Sequence, residues 1–183
     1  MRILLAPILD QQGEIQGAII VFHDVSETKA MALKMSHLAN HDSLTNLPNR
    51  MLLQDRAERA INNADRKHEK LAMIMLDVDN FKSVNDSVGH KMGDMLLKKI
   101  AQRLLESSRS VDTVSRQGGD EFTILQPDIT KLDQVVSYAQ RILTLFQNPF
   151  MLTKSALICP VVLVLLFILM IVKALICYIS MQI

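Results

Sequence analysis

The 183-residue chain contains no tryptophan, and aromatic residues make up only 4% of it. Proteins that bind single-stranded nucleic acid commonly stack the bases on aromatic side chains, so this composition disfavours that class. The formal net charge of +1 also predicts no basic surface of the kind that nucleic acid requires. We therefore expect no nucleic-acid partner.

Cysteine is almost absent. Cys159 and Cys177 are the only two, and both lie near the C-terminus, so no disulfide framework is predicted. The opening apolar run, residues 3–6, is too short for a secretory signal peptide. These two observations give no indication of an extracellular, disulfide-stabilised protein.

Acidic residues and glycine are missing from the last part of the chain. All 19 acidic residues and all six glycines precede residue 151, and the 33 residues that follow carry only Lys154 and Lys173 as charges. This break in composition predicts a boundary after residue 150. Residues 156–172 are apolar throughout, and their hydropathy is typical of a transmembrane helix.

The most informative stretch is Gly118-Gly119-Asp120-Glu121-Phe122, which stands between two β-prone runs. Paired glycines between such runs predict a β-hairpin turn. Glycine permits positive φ and leaves no side chain at the tip, so a phosphate group can approach the backbone. A solvated hairpin turn can have the same sequence, so this pattern needs a partner before it indicates a site.

The partner is an apolar run at residues 71–76, which predicts a buried strand that ends in Asp77-Val78-Asp79. Mg²⁺ prefers hard oxygen ligands, usually one or two carboxylates together with substrate phosphates. Asp77 and Asp120 can supply those carboxylates if the strand and the hairpin are neighbours. Sequence alone leaves that adjacency open.

The remaining chain alternates helices with these strands. Apolar spacing predicts helices over about 50–66, 94–107 and 130–147, with a loop over residues 85–94. The resulting order is helix, strand, helix, hairpin, helix, which predicts an α+β fold, an α/β sandwich with helices packed on a sheet.

A further helix is predicted over residues 26–40, with Ser26 as its cap and an apolar stripe of Met31, Met35 and Leu38. This helix either pairs with its twin in a dimer or packs on its own domain. Before it, residues 3–8 and 15–22 predict two strands around a turn at 10–13. That segment resembles the last hairpin and exit of a PAS sensor domain, so residues 1–25 are interpreted as the C-terminal remnant of one.

Three motifs in order resemble the GGDEF domain of diguanylate cyclases over residues 41–150. They are the entry at 41–50, the stretch from Asp77 to Asp94, and the hairpin at 116–122. Gln117 stands where an aromatic residue is usual. The resemblance implies the palm-like fold of nucleotide cyclases and polymerases. It also implies that a homodimer condenses two GTP into cyclic di-GMP and releases pyrophosphate, in the cytoplasmic part of a bacterial signalling protein.

The resemblance also implies roles for individual residues. Mg²⁺ or Mn²⁺ would be held by Asp77, the carbonyl of Val78, and Asp120, and Asp120 would also help to deprotonate the attacking ribose 3′-hydroxyl. Lys82 would neutralise phosphate charge. The remaining substrate contacts would come from Asn85, His90, Asp94, Gly118 and Gly119. Asp94 also fits the N-cap of the following helix, and His90 fits a plain loop histidine.

A second site is implied by Arg109-Ser110-Val111-Asp112, whose Arg-x-x-Asp form lies at the family's product-inhibition offset from the hairpin. Arginine can grip phosphate and guanine while the aspartate accepts from a guanine edge. A surface salt bridge is the alternative. If the domain is catalytically inactive, these two residues would make it a cyclic di-GMP-binding module.

The segment after Phe150 departs from the family, whose next strand, Tyr-Pro-x-Asp-Gly motif and last helix are not present. The codons offer an explanation besides a membrane span. In a shifted frame, Phe167 and Ile168 give Tyr or His, and Met170 and Ile171 give Asp. We therefore expect a frameshift near Lys154, a GGDEF domain truncated by one strand and a helix, and little or no cyclase activity. Apolar residues 156–179 would still allow membrane contact, or the chain is a non-functional gene fragment.

Overall fold

The computed structural model describes residues 2–9, 11–152, 156–157 and 162–167. The chain divides into two compact units, residues 1–39 and residues 40–183. The first unit is a hairpin followed by a helix. The second is a four-stranded antiparallel sheet with helices on both faces, so the predicted α+β sandwich is confirmed.

The N-terminal unit begins with strands β1 (Arg2–Leu9) and β2 (Ile15–His23), which pair antiparallel as the sequence predicts. Gly13 takes a positive φ of 85° at the turn between them. Apolar side chains of both strands are exposed, including Leu5 at 69% and Phe22 at 64%. Two strands alone bury too little apolar surface for independent stability.

Helix α1 (Ser26–Asn40) follows, with the predicted bounds. The side chain that satisfies its first turn is Asp24, whose Oδ1 accepts from the backbone N–H of Ser26 at 2.9 Å, so the predicted cap at Ser26 is wrong. No residue of α1 is buried. The stripe of Met31, Met35 and Leu38 is between 55% and 59% exposed.

The sheet of the second unit is formed by β3 (Lys70–Val78), β4 (Thr113–Gly118), β5 (Glu121–Ile129) and β8 (Val162–Phe167). Across the sheet the strands lie in the order β4-β5-β3-β8. Short strands β6 (Phe150–Met151) and β7 (Ala156–Leu157) pair with each other. Neighbouring strands are antiparallel throughout.

Strand β8 overturns the expectation that the sheet lacks a strand. It pairs with β3 from Met73 opposite Phe167 to Val78 opposite Val162. Pairing at a sheet edge uses backbone N–H and C=O groups, so an apolar, β-prone run can satisfy them without the family's motif. Residues 156–157 and 162–167 are therefore strands and not part of the predicted membrane helix, whose other residues lie outside the described ranges. Within those ranges, no helix is long and apolar enough to cross a membrane.

Four helices cover the sheet, namely α2 (Arg50–Lys67), α3 (Phe81–Val88), α4 (His90–Ser107) and α5 (Leu132–Gln147). The predicted loop over 85–94 is wrong, because α3 and α4 occupy it and only Gly89, at a φ of 86°, separates them. Alternate residues of β3 face opposite sides of the sheet. Leu71 and Met73 pack with α2, whereas Ile74 and Leu76 pack in the larger cluster with α4 and α5.

Candidate nucleotide and metal site

The hairpin tip lies beside the end of the central strand. Asp77 of β3 is opposite Glu121 of β5, which is two residues after Gly119 and directly follows Asp120. Both glycines have positive φ, 139° and 53°, which a residue with a Cβ rarely adopts. The adjacency that the sequence left open is therefore present, and it brings Asp77 and Asp120 to the same sheet edge.

The carboxylates at this edge repel one another. Burial raises the pKa of Asp77 above its ordinary value, and the negative charges of Asp120, Glu121 and Asp79 raise it further. A divalent cation between Asp77 and Asp120 would offset that repulsion. Within the described residues, no three acidic, histidine or cysteine side chains come close enough to hold a metal by themselves. The carboxylates of Asp77 and Asp120 fit Mg²⁺, which commonly takes one or two protein carboxylates together with phosphate oxygens.

The other residues that follow β3 present backbone or flexible groups. The side chain of Val78 is buried in the core at 1% exposure, so the group that it can offer to a ligand is its carbonyl oxygen. Asn80 adopts the left-handed conformation, with φ 57°, where the chain turns from β3 into α3. Lys82, in the first turn of α3, is exposed and free to reach a phosphate.

Helices α3 and α4 pack closely at Gly93. A Cβ on Gly93 would lie 3.2 Å from Cζ of Phe81 and would overlap the side-chain amide of Asn85. The Oδ1 atom of Asn85 is buried and has no hydrogen-bond partner among the described residues. An unpartnered buried acceptor is costly, so this oxygen is an unpaired polar group at the contact of α3 with α4.

Two predictions on α4 need correction. Asp94 is the fifth residue of the helix and not its N-cap, because the helix begins at His90 after Gly89. His90 is the exposed first residue of α4 and not a loop histidine. Both side chains nevertheless remain on the first turns of α4, the helix that faces Asn85.

Arg116 links the glycine turn to Asp42 through hydrogen bonds of its guanidinium group. Its Nη1 donates to both oxygens of Asp42 at 2.8 and 2.9 Å, and its Nε and Nη2 donate to the carbonyl of Gly119 at 3.0 and 2.6 Å. Asp42 also accepts from the N–H and the hydroxyl of Thr45. Sequence reasoning placed Asp42 and Arg116 in matching motifs but missed this contact, because 74 residues separate them.

The second predicted site is an ion pair in this structure. Arg109 Nη2 lies 2.8 Å from Oδ1 of Asp112, and the side chain of Asp112 is fully buried. Gln126 Nε2 donates to the other carboxylate oxygen at 3.1 Å. The Arg-x-x-Asp residues therefore form a salt bridge with each other, with Arg109 still 42% exposed.

A cavity of about 250 Å³ adjoins that pair. Its lining includes the cations Arg109 and Arg141 and the aromatic ring of Tyr138. Arg141 stacks 5.0 Å from that ring and donates to the carbonyl of Ser107 at 2.6 Å. Two guanidinium groups beside an aromatic ring suit a ligand that has both phosphate and a base. Neither Tyr138 nor Arg141 belongs to a motif, since both lie within helix α5, so they could not be predicted as site residues from the sequence.

Comparison with known proteins places the domain in a family. Residues 39–160 match the family described as diguanylate cyclase, GGDEF domain. The chain is 38% identical over 124 residues to the probable diguanylate cyclase DgcE of Escherichia coli, covering 68% of this chain and 11% of DgcE. It is 40% identical over 127 residues to the cyclic di-GMP phosphodiesterase PdeR of the same organism, covering 69% of this chain and 19% of PdeR.

Solved structures of GGDEF proteins also match this chain. The GGDEF domain of TpbB from Pseudomonas aeruginosa superposes with a TM-score of 0.62 at 39% identity, over 64% of this chain and 69% of that one. A sensory box/GGDEF family protein from Caulobacter crescentus gives 0.66 at 33% identity, over 78% and 94%. The chain spans only about a tenth and a fifth of the lengths of DgcE and PdeR. From the family match and these structures, the chain belongs to the GGDEF diguanylate cyclase family.

Proposed function

We propose that residues 41–150 form a diguanylate cyclase-type site that binds GTP with a divalent cation and is built to condense two GTP into cyclic di-GMP and pyrophosphate. The observation that carries this proposal is the register that sets Asp77 beside the Gly118-Gly119 turn and Asp120. Burial raises the pKa of Asp77 and the negative charge of Asp120 raises it further, so a cation between the two carboxylates would offset an unfavourable charge.

Each residue has a proposed role at this edge. Asp77, the carbonyl of Val78, and Asp120 hold Mg²⁺ or Mn²⁺, which when bound supplies charge neutralisation for phosphoryl transfer. Asp120 also draws the proton from the ribose 3′-hydroxyl of GTP. Lys82 offsets phosphate charge, and the glycine turn admits the phosphates to the backbone.

The guanine is held on the other side by α3 and α4. Asn85 accepts from the base through its unpartnered buried Oδ1, and Asp94 accepts from the same edge. His90 stands near the substrate at the start of α4. A site that presents two acceptors favours guanine over adenine, because guanine carries adjacent N–H donors on its Watson–Crick edge.

Turnover by this chain is expected to be low or absent. After Phe150 the chain carries only two charged residues, Lys154 and Lys173. The family motifs of this region are not present, and with them go the basic residues that the family uses to neutralise the phosphates. The test is to incubate the purified chain with labelled GTP and Mg²⁺ and to separate the products. We expect little or no cyclic di-GMP, and any that forms should disappear in Asp120→Asn. Formation at an ordinary family rate would contradict the expectation.

A second candidate function is cyclic di-GMP binding without catalysis. The observation that favours it is the cavity beside Arg109, which holds a second guanidinium from Arg141. Family membership leaves this possibility open, since the relatives include one named as a cyclase and one named as a phosphodiesterase. Calorimetric titration with cyclic di-GMP tests it, and loss of binding in Arg109→Ala with retention in Asp120→Asn would support it.

The flanking segments complete the proposal. We infer that residues 1–25 are the end of a PAS sensor domain, which their exposed hairpin supports. We also infer that α1 pairs with its twin in a homodimer, so that each protomer brings one GTP.

The apolar tail is proposed to result from a frameshift near Lys154. The nucleotide sequence across codons 150–183 tests that idea, which fails if no alternative frame encodes the family's missing motifs.

A further inference from the structure

The carboxylate of Asp112 is already saturated inside the protein. Its Oδ1 accepts from Nε and Nη2 of Arg109 at 3.0 and 2.8 Å. Its Oδ2 accepts from the backbone N–H of Arg109 at 3.0 Å and from Nε2 of Gln126 at 3.1 Å. The Asp112 side chain is fully buried. In this arrangement each oxygen already accepts two hydrogen bonds from the protein, so neither is free to accept one from a guanine edge.

Gln126 has the acceptor that Asp112 lacks. It lies in β5, is 3% exposed and lines the cavity beside Arg109 and Arg141. Its amide orientation is fixed, because an oxygen turned toward Asp112 would face a carboxylate and only the NH₂ group can donate to it. The Oε1 atom is then left with no hydrogen-bond partner among the described residues. A buried acceptor without a donor is unfavourable.

We propose that Gln126 is a base-specificity residue of this cavity, with Oε1 accepting an N–H from the Watson–Crick edge of a guanine. The inference rests on the proposed binding of cyclic di-GMP beside Arg109 and adds to it a residue outside the Arg-x-x-Asp motif. Arg109 and Arg141 supply the positive charge for the phosphates. Gln126 supplies the discrimination, because guanine has a ring N–H donor at the position where adenine has an acceptor.

Substitutions of Gln126 and of Arg109 are expected to affect ligand selectivity differently. Removing a guanidinium weakens every cyclic dinucleotide, since all of them carry the same phosphates. Removing the Gln126 amide also takes a donor from Oδ2 of Asp112, which every ligand would meet, but the loss of the Oε1 acceptor weakens only a ligand whose base donates to it. The affinity ratio between cyclic di-GMP and cyclic di-AMP therefore separates a base contact from a general loss of the site.

The experiment is calorimetric titration of the full chain with cyclic di-GMP and with cyclic di-AMP. The variants are Gln126→Met, which keeps the side-chain length without the amide, and Arg109→Ala. Gln102→Met, on the exposed face of α4, is the matched control. We expect Gln126→Met to lose about five- to tenfold in affinity for cyclic di-GMP, which is the worth of one hydrogen bond. Binding of cyclic di-AMP should change little, so the selectivity falls.

The outcomes are distinguishable. Unchanged cyclic di-GMP affinity in Gln126→Met, with binding lost in Arg109→Ala, overturns this inference and leaves the cyclic di-GMP site standing. No binding to the wild-type chain overturns both. Thermal unfolding monitors folding, and Gln126→Leu replaces the methionine variant if that protein does not fold.

Discussion

Arg116 connects the first loop of the domain to the glycine turn that carries Asp120. The same guanidinium binds both oxygens of Asp42 and the carbonyl of Gly119. The two side chains are largely buried, with Arg116 at 10% and Asp42 at 18% exposure. The ion pair therefore holds the loop at Asp42 against the turn that carries Asp120, both within the second unit.

Asp42→Ala is expected to destabilise the domain. It leaves the guanidinium of Arg116 without its main partner, and breaking a largely buried pair costs about 2–4 kcal/mol. The free energy of unfolding from denaturant titration measures this. Asp55→Ala, which removes the exposed pair of Asp55 with Arg59, should cost less than about 1 kcal/mol. Equal losses in the two variants would show that the Asp42 pair has no special role.

The contribution of Asp42 to stability is expected to depend on pH. Burial raises the pKa of this carboxyl, but hydrogen bonds from Thr45 and Arg116 outweigh burial, so its pKa in the folded protein lies below the ordinary 3.8. A lowered folded pKa means that the unfolded chain binds the proton first. The stabilisation is therefore present above pH 3.8 and is lost as the pH falls through the folded pKa. The difference in unfolding free energy between wild type and Asp42→Asn should shrink from pH 7 toward pH 3, whereas a constant difference would refute this account.

Gly93→Ala is expected to weaken GTP binding. The added methyl group overlaps the amide of Asn85 and crowds Phe81, so Asn85 must leave its position or α3 must move away from α4. A loss of about tenfold in affinity for a non-hydrolysable GTP analogue would correspond to about 1.4 kcal/mol. Gly17→Ala is the control, because its Cβ would make only an ordinary 3.7 Å contact with Ile8. Unchanged nucleotide affinity in Gly93→Ala would count against the role of Asn85.

Met35→Glu is expected to dissociate a dimer formed through α1. Met35 is 58% exposed in the stripe with Met31 and Leu38, and a buried charge at a helix pair is unfavourable. Sedimentation equilibrium should show a shift toward monomer. Leu33→Glu introduces the same charge on the other side of α1, where exposure is 72%, and should leave the association unchanged. Equal effects from both variants would exclude the stripe as the interface.

Features set by local sequence were predictable. The apolar run of β3, the paired glycines of the turn and the stripe of α1 depend on residues close in sequence. The glycines at positions 89 and 93 led to the wrong prediction of a loop. Gly93 lies inside a helix and permits close packing of α3 on α4, and it does not form a turn. Strand β8 resembled a membrane helix, since periodicity cannot separate a long apolar run of either type.

Contacts across the fold were not predictable in the same way. The pair of Asp42 and Arg116 and the pair of Asp112 and Gln126 join residues that lie far apart in sequence or on different strands and loops. Each becomes visible only when the sheet register is known. The family resemblance identified the motif residues from the sequence. The unpaired buried oxygens of Asn85 and Gln126 could be found only in the structure.

We propose that Asp77 and Asp120 form one metal-dependent nucleotide site. Calorimetric titration of a non-hydrolysable GTP analogue with and without Mg²⁺, in wild type and in Asp120→Asn, measures how far binding depends on the metal. We expect Mg²⁺ to strengthen binding by about tenfold or more in the wild type and to have little effect in Asp120→Asn. Binding that is independent of Mg²⁺, or equally enhanced by Mg²⁺ in both proteins, would contradict the account.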